Sequence, residues 1–210
     1  MAQEHKEPKY TEEHIRRLSI YKVCKSLLKI TVNSLSYCAA ISWGSVEVII
    51  FYIRQRIFGN AIPNFHEVDG AFLSRGGQPS TAGLKELAQK GVKTIINLRA
   101  ADFNRKVIEE YYSDQLRTIH IPFYPYNPDD QIMIDFLKIM KDRKHMPAFV
   151  HCFHGADRTG AVIAIYRIIL QNWDKDRAIA EMKVKGLHWW HRNLVDYIQN
   201  LDIERIRSQL

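Results

Sequence analysis

Residues 151–160 read HCFHGADRTG, and the spacing within them suits one kind of chemistry. Cys152 and Arg158 are separated by five residues, with Gly155 among them and Thr159 directly after the arginine. A cysteine can act as a nucleophile, a metal ligand or a buried thiol, and its neighbours decide which. An arginine grips two phosphate oxygens at once with a planar fork that lysine cannot copy. A glycine lets the chain adopt a backbone geometry that other residues resist. The run Phe153, His154, Gly155, Ala156, Asp157 can therefore curl with successive N–H groups turned inward. With the start of the following helix and Arg158, those groups form a cradle for an anion. A thiol in so positive a setting ionises more readily than a free one. The predicted chemistry is attack of the Cys152 thiolate on phosphorus, giving a cysteinyl-phosphate that water then hydrolyses. Thr159 stands where its hydroxyl can hydrogen-bond the thiolate and help the sulfur leave.

The motif needs a strand before it and a helix behind it. PAFVHC (147–152) reads as a buried strand, and a helix follows over about 158–171. In open α/β sheets the carboxyl end of a strand is where ligands bind. Residues 54–65 read as a linker rich in Gly, Asn and Pro. AFLS (71–74) is a short strand, and GGQPS turns the chain so that Ser80 caps a helix over 81–90, which Gly91 ends. VKTIINL (92–98) is rich in β-branched residues and reads as a buried strand. Asp102 starts a helix running to about Ser113, LRTIHIPF (116–123) is a strand, and QIMIDFLKIMKDR (131–143) has apolar residues at helical spacing. Helices over about 175–185 and 192–208 finish the chain, with Gly186 after the first of them. This alternation predicts an α/β fold with a central, mostly parallel sheet flanked by helices.

The chain has 210 residues, long enough to bury a real core, and a net charge of +7 that favours anionic partners. Without an arginine–aromatic repeat or zinc-finger spacing, nucleic acid is not among the expected partners. Cys24, Cys38 and Cys152 are odd in number and widely spaced, so no disulfide framework or CxxC metal pair is implied. Cys24 and Cys38 read as inert buried thiols. Residues 1–58 form a basic and hydrophobic helical segment, in which seven Lys/Arg among the first 30 residues precede TVNSLSYCAAISWGSVEVIIFYI (31–53). That stretch carries one charge, Glu47, and is long enough to cross a bilayer as a helix. It is expected to anchor the chain in a membrane. The alternative is an amphipathic helix pair packed on the domain, in a cytoplasmic protein. Residues 59–210 form the catalytic domain.

HCFHGADRTG resembles the H-C-x5-R-[ST] signature loop of cysteine-dependent protein tyrosine and dual-specificity phosphatases. NFHEVDGAFLSRGGQPSTAGLKELAQKGVKTIINLR also looks like the opening of small bacterial and atypical dual-specificity phosphatases, and the resemblance covers roughly residues 62 to 205. It implies that Cys152 is the nucleophile, that Arg158 and the 153–158 loop bind phosphate, and that no cofactor or metal is needed. It also implies a general acid, usually an Asp about thirty residues before the cysteine. Here that region reads IPFYPYNPDDQ, with Pro125 or a neighbouring tyrosine at the aligned position. Asp129 and Asp130 are the nearest carboxylates, and helix N-capping is their competing role. Asp157, inside the loop, is a third candidate, as acid or as a loop-rigidifying acceptor.

The expected substrate is a phosphorylated protein or another phosphomonoester. The alternatives are a phosphoinositide or inositol phosphate, and a phosphate-binding pseudophosphatase with little turnover. Phe153, His154 and Ala156 stand where lipid-type loops often carry lysines, which argues against a highly charged inositol head group unless His154 becomes cationic at the rim. His151 is expected to hold the loop through a backbone hydrogen bond. His188 and His191 are expected to pack before the last helix, and Arg99 either to bind an anion or to form a structural salt bridge.

Overall fold

The computed structural model describes residues 61–102 and 104–210. Residues 1–58, with the expected anchor at 31–53 and with Cys24 and Cys38, lie outside the described residues. Among the described residues no helix is long and apolar enough to cross a membrane.

Five strands form one sheet in the order β1-β2-β5-β3-β4: β1 is His66–Asp69, β2 Leu73–Gly76, β3 Thr94–Asn97, β4 Arg117–His120 and β5 Ala148–His151. Only the edge pair β1–β2 is antiparallel, as the mostly parallel expectation requires. Successive strand side chains point to opposite faces. Ile95 and Phe149 accordingly enter one apolar cluster with Leu84 and Leu87 of helix α1 (Thr81–Gln89) and Ile108 of helix α2 (Arg105–Tyr111). Ile96 and Val150 enter the other, larger cluster. That face is covered by α3 (Asp130–Lys141), α4 (Asp157–Gln171), α5 (Lys175–Val184), α6 (Arg192–Gln199) and α7 (Ile203–Arg207). Helix α4 is buried at every position from Thr159 to Ile169, because it runs between the sheet and its neighbouring helices. A helix that is apolar all round belongs in such a place.

The register of the three inner strands positions the site. His151 of β5 pairs with Gly76 of β2 on one side and Asn97 of β3 on the other. All three strands therefore end level, and the residues that follow them, Gly77–Gln78, Leu98–Arg99 and Cys152 onward, share one edge.

Local signals held where a side chain does the work. Ser80 accepts from Gly83 N at 3.2 Å to cap α1, and Gly91 (φ +76°) and Gly186 (φ +99°) follow their helices in the left-handed region. Three expectations differ. Strand β1 was not foreseen, because HEVD buries only Val68 at a sheet edge and carries no apolar run. Asp102 does not start a helix: its carboxylate accepts from Asn97, Thr118 and Arg105, and α2 begins three residues later. The last helix is two. Lys175 Nζ donates to the carbonyls of Gln199 and Leu201 at 2.8 Å each, and Asp202 accepts from Arg205 N at 3.0 Å to start α7 afresh.

Phe136 of α3 is fully buried and Val184 of α5 is 81% exposed. Phe136→Ala is expected to cost about 3–5 kcal/mol, and Val184→Ala less than about 0.5 kcal/mol. Chemical denaturation of the two variants against the parent checks the difference.

Candidate active site

Cys152 leaves the end of β5 with its thiol almost fully buried, and the chain then curls so that Gly155 N donates to Cys152 Sγ at 3.3 Å. The curl requires Gly155, whose φ is +73°. A Cβ there would stand 2.3 Å from Gly76 C and 2.4 Å from Gly77 N, so backbone meets backbone. Gly77 is needed for the same reason, since its Cβ would lie 2.8 Å from Phe153 O. Hydrogen bonds fasten the contact. Gln78 N donates to Phe153 O at 3.0 Å, and Asn64 Nδ2 donates to Gly155 O at 3.0 Å. Arg75, 1% exposed on β2, donates from Nη2 to Gly155 O at 2.7 Å and to Ala156 O at 3.4 Å. Burial pushes the Arg75 guanidinium down from its usual range, opposed by attraction to Cys152 and Glu181. Neither Arg75 nor Asn64 was singled out from the sequence. The signal available for Arg75 was its place in SRGGQPS beside the two glycines.

Helix α4 begins at Asp157 behind Ala156, whose side chain gives its first-turn N–H groups no cap. Half-buried Arg158 lies in that first turn and donates from Nη1 to Leu98 O at 3.4 Å. Arg99 donates to Gln78 Oε1 at 2.8 Å and lies 5.0 Å over the Phe153 ring. The structure thus gathers Cys152, Phe153, His154, Gly155, Ala156, Asp157, Arg158 and Arg99 at one sheet edge, with a thiol, backbone donors and two guanidinium groups.

The remaining sequence candidates fall elsewhere. Asp129 caps α3, accepting from Gln131 N at 2.8 Å. Asp130 accepts from Tyr197 Oη at 2.6 Å and pairs with Arg205 at 3.5 Å. Neither hydrogen-bonds to the 152–158 loop among the described residues. Pro125, which with its neighbouring tyrosines spans the position aligned with the family acid, receives Asn193 Nδ2 on its carbonyl at 2.7 Å. Thr159 does not bond the thiol in this structure: its hydroxyl is buried without a partner among the described residues, and Gly155 N meets the sulfur instead.

His188 was expected only to pack, and it does more. Its backbone N and its Nδ1 both donate to Asp157, at 2.9 Å to Oδ1 and 2.8 Å to Oδ2. Burial alone would push the Asp157 carboxyl up, but the bonds and charge of His188 outweigh it and hold the carboxyl below its usual range. The ring of His188 stacks on Trp190 at 4.5 Å and lies 5.1 Å from that of His154. His191, by contrast, packs as expected, buried and 5.0 Å from the Tyr126 ring. His154, Asp157 and His188 each offer a metal-ligand atom within 4.8 Å of one another. The charges of Arg99 and Arg158 reach His154 and would repel a dication, so the donor set is better suited to protons than to metal. Burial, with help from His188, Arg158 and Arg99, holds His154 down at about 4, and so neutral at pH 7.

His151 holds the loop as expected. Its Nδ1 donates to Cys152 O at 3.1 Å, and burial keeps its pKa down at about 4. Between pH 6.5 and 4 the unfolded chain binds a proton at His151 that the folded chain refuses. The contribution is therefore complete above 6.5 and is lost as pH falls, at roughly 1.4 kcal/mol per pH unit. Urea midpoints at pH 7 and pH 5 are expected to fall less in His151→Asn than in the parent; an equal fall contradicts the assignment.

A family model described as "DSP-PTPase phosphatase fused to NAD+ Kinase" matches residues 58–191. The dual specificity protein phosphatase TpbA of Pseudomonas aeruginosa is 28% identical over 138 residues, covering 64% of this chain and 62% of TpbA. The inositol diphosphatase DSP5 of Arabidopsis thaliana is 26% identical over 163 residues, covering 70% of this chain and 74% of DSP5. The crystal structure of P. aeruginosa TpbA matches with a TM-score of 0.62 at 25% identity, over 72% of this chain and 97% of that one. The chain thus spans less than two thirds of the length of TpbA as a curated relative. Because the family match takes in well over half of the chain, including the whole Cys152–Arg158 loop, the chain belongs to the DSP-PTPase phosphatase family.

Proposed function

We propose that this chain is a phosphomonoester hydrolase of the cysteine-dependent, dual-specificity type. The observation that carries the reading is the Cys152 sulfur at the centre of a backbone curl, receiving Gly155 N, with the uncapped α4 N-terminus and Arg158 beside it. In the first step the Cys152 thiolate attacks phosphorus, the P–O bond to the ester breaks, and the departing oxygen takes a proton. In the second, water attacks the cysteinyl-phosphate, the S–P bond breaks and phosphate leaves. Backbone N–H groups of the loop and Arg158 stabilise the charge on the phosphoryl oxygens, strongest when they need no rearrangement.

The proposed substrate is a phosphorylated protein side chain. Exposed aromatics beside the loop support it: Trp190 stacks on His188, Trp189 meets Trp190 edge-on at 5.6 Å, and Tyr126 packs on His191. They offer flat faces to an aromatic ester. An inositol phosphate is the second reading, favoured by the resemblance to DSP5. Against it, the loop has no lysine and His154 is neutral at pH 7. A pseudophosphatase is disfavoured because a binding module has no need of a buried thiol aimed into its phosphate cradle. Membrane association through 31–53 rests on composition alone, and a cytoplasmic location is the alternative.

With the full chain and an aryl phosphate, Cys152→Ser is expected to lower kcat by at least about 10⁴-fold. Arg158→Lys, which keeps the charge and loses the fork, is expected to cost about 10²–10³-fold. Both are read from steady-state kinetics. Turnover by Cys152→Ser at the parent rate would remove the cysteine from the mechanism.

A further inference from the structure

The phosphatase reading leaves one step without an agent, because the departing oxygen needs a proton and the carboxylates upstream of the loop are committed elsewhere. Asp129 caps α3, Asp130 is held by Tyr197 and Arg205, and the aligned position holds Pro125 or a neighbouring tyrosine. We infer that His188 donates this proton, with Asp157 as the residue that positions it. The inference rests on the phosphatase reading and extends it.

Three observations support the pair. First, Asp157 turns both carboxylate oxygens toward His188: Oδ1 accepts from the backbone N at 2.9 Å, and Nδ1 lies 3.0 Å from Oδ1 and 2.8 Å from Oδ2. A carboxylate held there fixes the proton on Nδ1, so that a proton given up by the imidazolium comes from Nε2, across the ring. Second, the ring is held on its face by Trp190 and stands 5.1 Å from His154, a residue of the phosphate loop itself. Asp157 belongs to the same loop, one residue before Arg158. Third, the Asp157 carboxylate and a protonated His188 ring attract one another across 2.8 Å. Among the described residues, Asp157 and His154 of the loop and His191 of its own segment stand near the His188 ring, while Arg158 of α4 acts on His154 and His191 and Arg99 from the end of β3 acts on His154. His154 and His191 are both pushed toward the neutral form by burial, so they add little repulsion. A phosphate ester in the cradle adds a second anion on the far side of the loop.

The step balances. As the Cys152 sulfur bonds to phosphorus, the electron pair of the broken P–O bond goes to the ester oxygen, which takes the proton from His188 Nε2. His188 is left neutral, still donating from Nδ1 to Asp157. In the second step neutral Nε2 takes a proton from the attacking water, and the imidazolium is restored.

The test compares His188→Gln with the parent, as full chains, on two esters: one with an acidic phenol that leaves without a proton and one with an unsubstituted phenol that needs it. The quantity read is kcat/KM, which reports the first chemical step. His188→Gln is expected to widen the ratio between the two esters by about 100-fold, and to remove the fall in rate at high pH. Asp157→Asn is expected to move that fall to lower pH, because an amide supports the imidazolium less than a carboxylate does. His188→Phe, which keeps a ring against Trp190, should match His188→Gln and so separates proton donation from packing. An equal loss on both esters, or an unchanged ratio and pH profile, overturns the inference. Absence of turnover on either ester by the parent chain sinks the phosphatase reading instead, and the two failures are distinct.

Discussion

The site depends on one close approach of backbone to backbone, where Gly155 meets the Gly76–Gly77 corner at the end of β2. No side chain fits between them, and only a residue free to take φ near +73° can make the turn. Arg75 closes the contact from beneath, spending its Nη2 on the carbonyls of Gly155 and Ala156. With those carbonyls drawn back toward β2, the N–H groups of the same trans peptides, those of Ala156 and Asp157, point the opposite way, while the N–H of Gly155 meets the sulfur. The polarity of the cradle thus follows from what anchors its outer side. The same anchoring needs β2, β5 and β3 to end level, which the parallel register supplies.

Electrostatics divide the site into two halves. The half under the loop is cationic, with buried Arg75 below the curl and half-buried Arg158 and Arg99 beside it. An isolated buried guanidinium is costly. Here hydrogen bonds to two carbonyls and attraction to Cys152 and Glu181 offset part of that cost. The half above the loop is made of imidazoles and indoles and carries one carboxylate, Asp157. In the proposed mechanism, binding and nucleophilic attack belong to the first half, and proton handling to the second. The segment that carries the second half, 188–193, is also tied by Asn193 to Pro125, so the loop before α3 and the loop before α6 are joined at the mouth.

What the sequence made legible follows from how local each signal is. The Cys152–Arg158 spacing, the Ser80 cap and the β-branched run of β3 each state their role within a few residues, and the alternation of elements was enough for the fold class. Asp157 with His188 could not be read, because 31 residues separate them and a histidine in HWWH looks the same whether it packs or works. Arg75 was hidden for another reason: a lone arginine in a short strand reads as a surface residue until the loop it supports is in place. Asp129 and Asp130 sat in the expected loop, yet the helix start they occupy uses one as a cap and turns the other to Tyr197. Thr159 followed the arginine as the motif suggests, but the first turn of α4 buries its hydroxyl without a partner among the described residues.

The central claim is that phosphate passes through the Cys152 sulfur. The most direct measurement is mass spectrometry of the full chain quenched in mild acid during turnover of an aryl phosphate, followed by peptide mapping. The account predicts a phosphoryl adduct on the peptide that contains Cys152, carried by sulfur and absent from Cys152→Ser. An adduct on His154 or His188, or turnover without any covalent adduct in rapid-quench time courses, would contradict it.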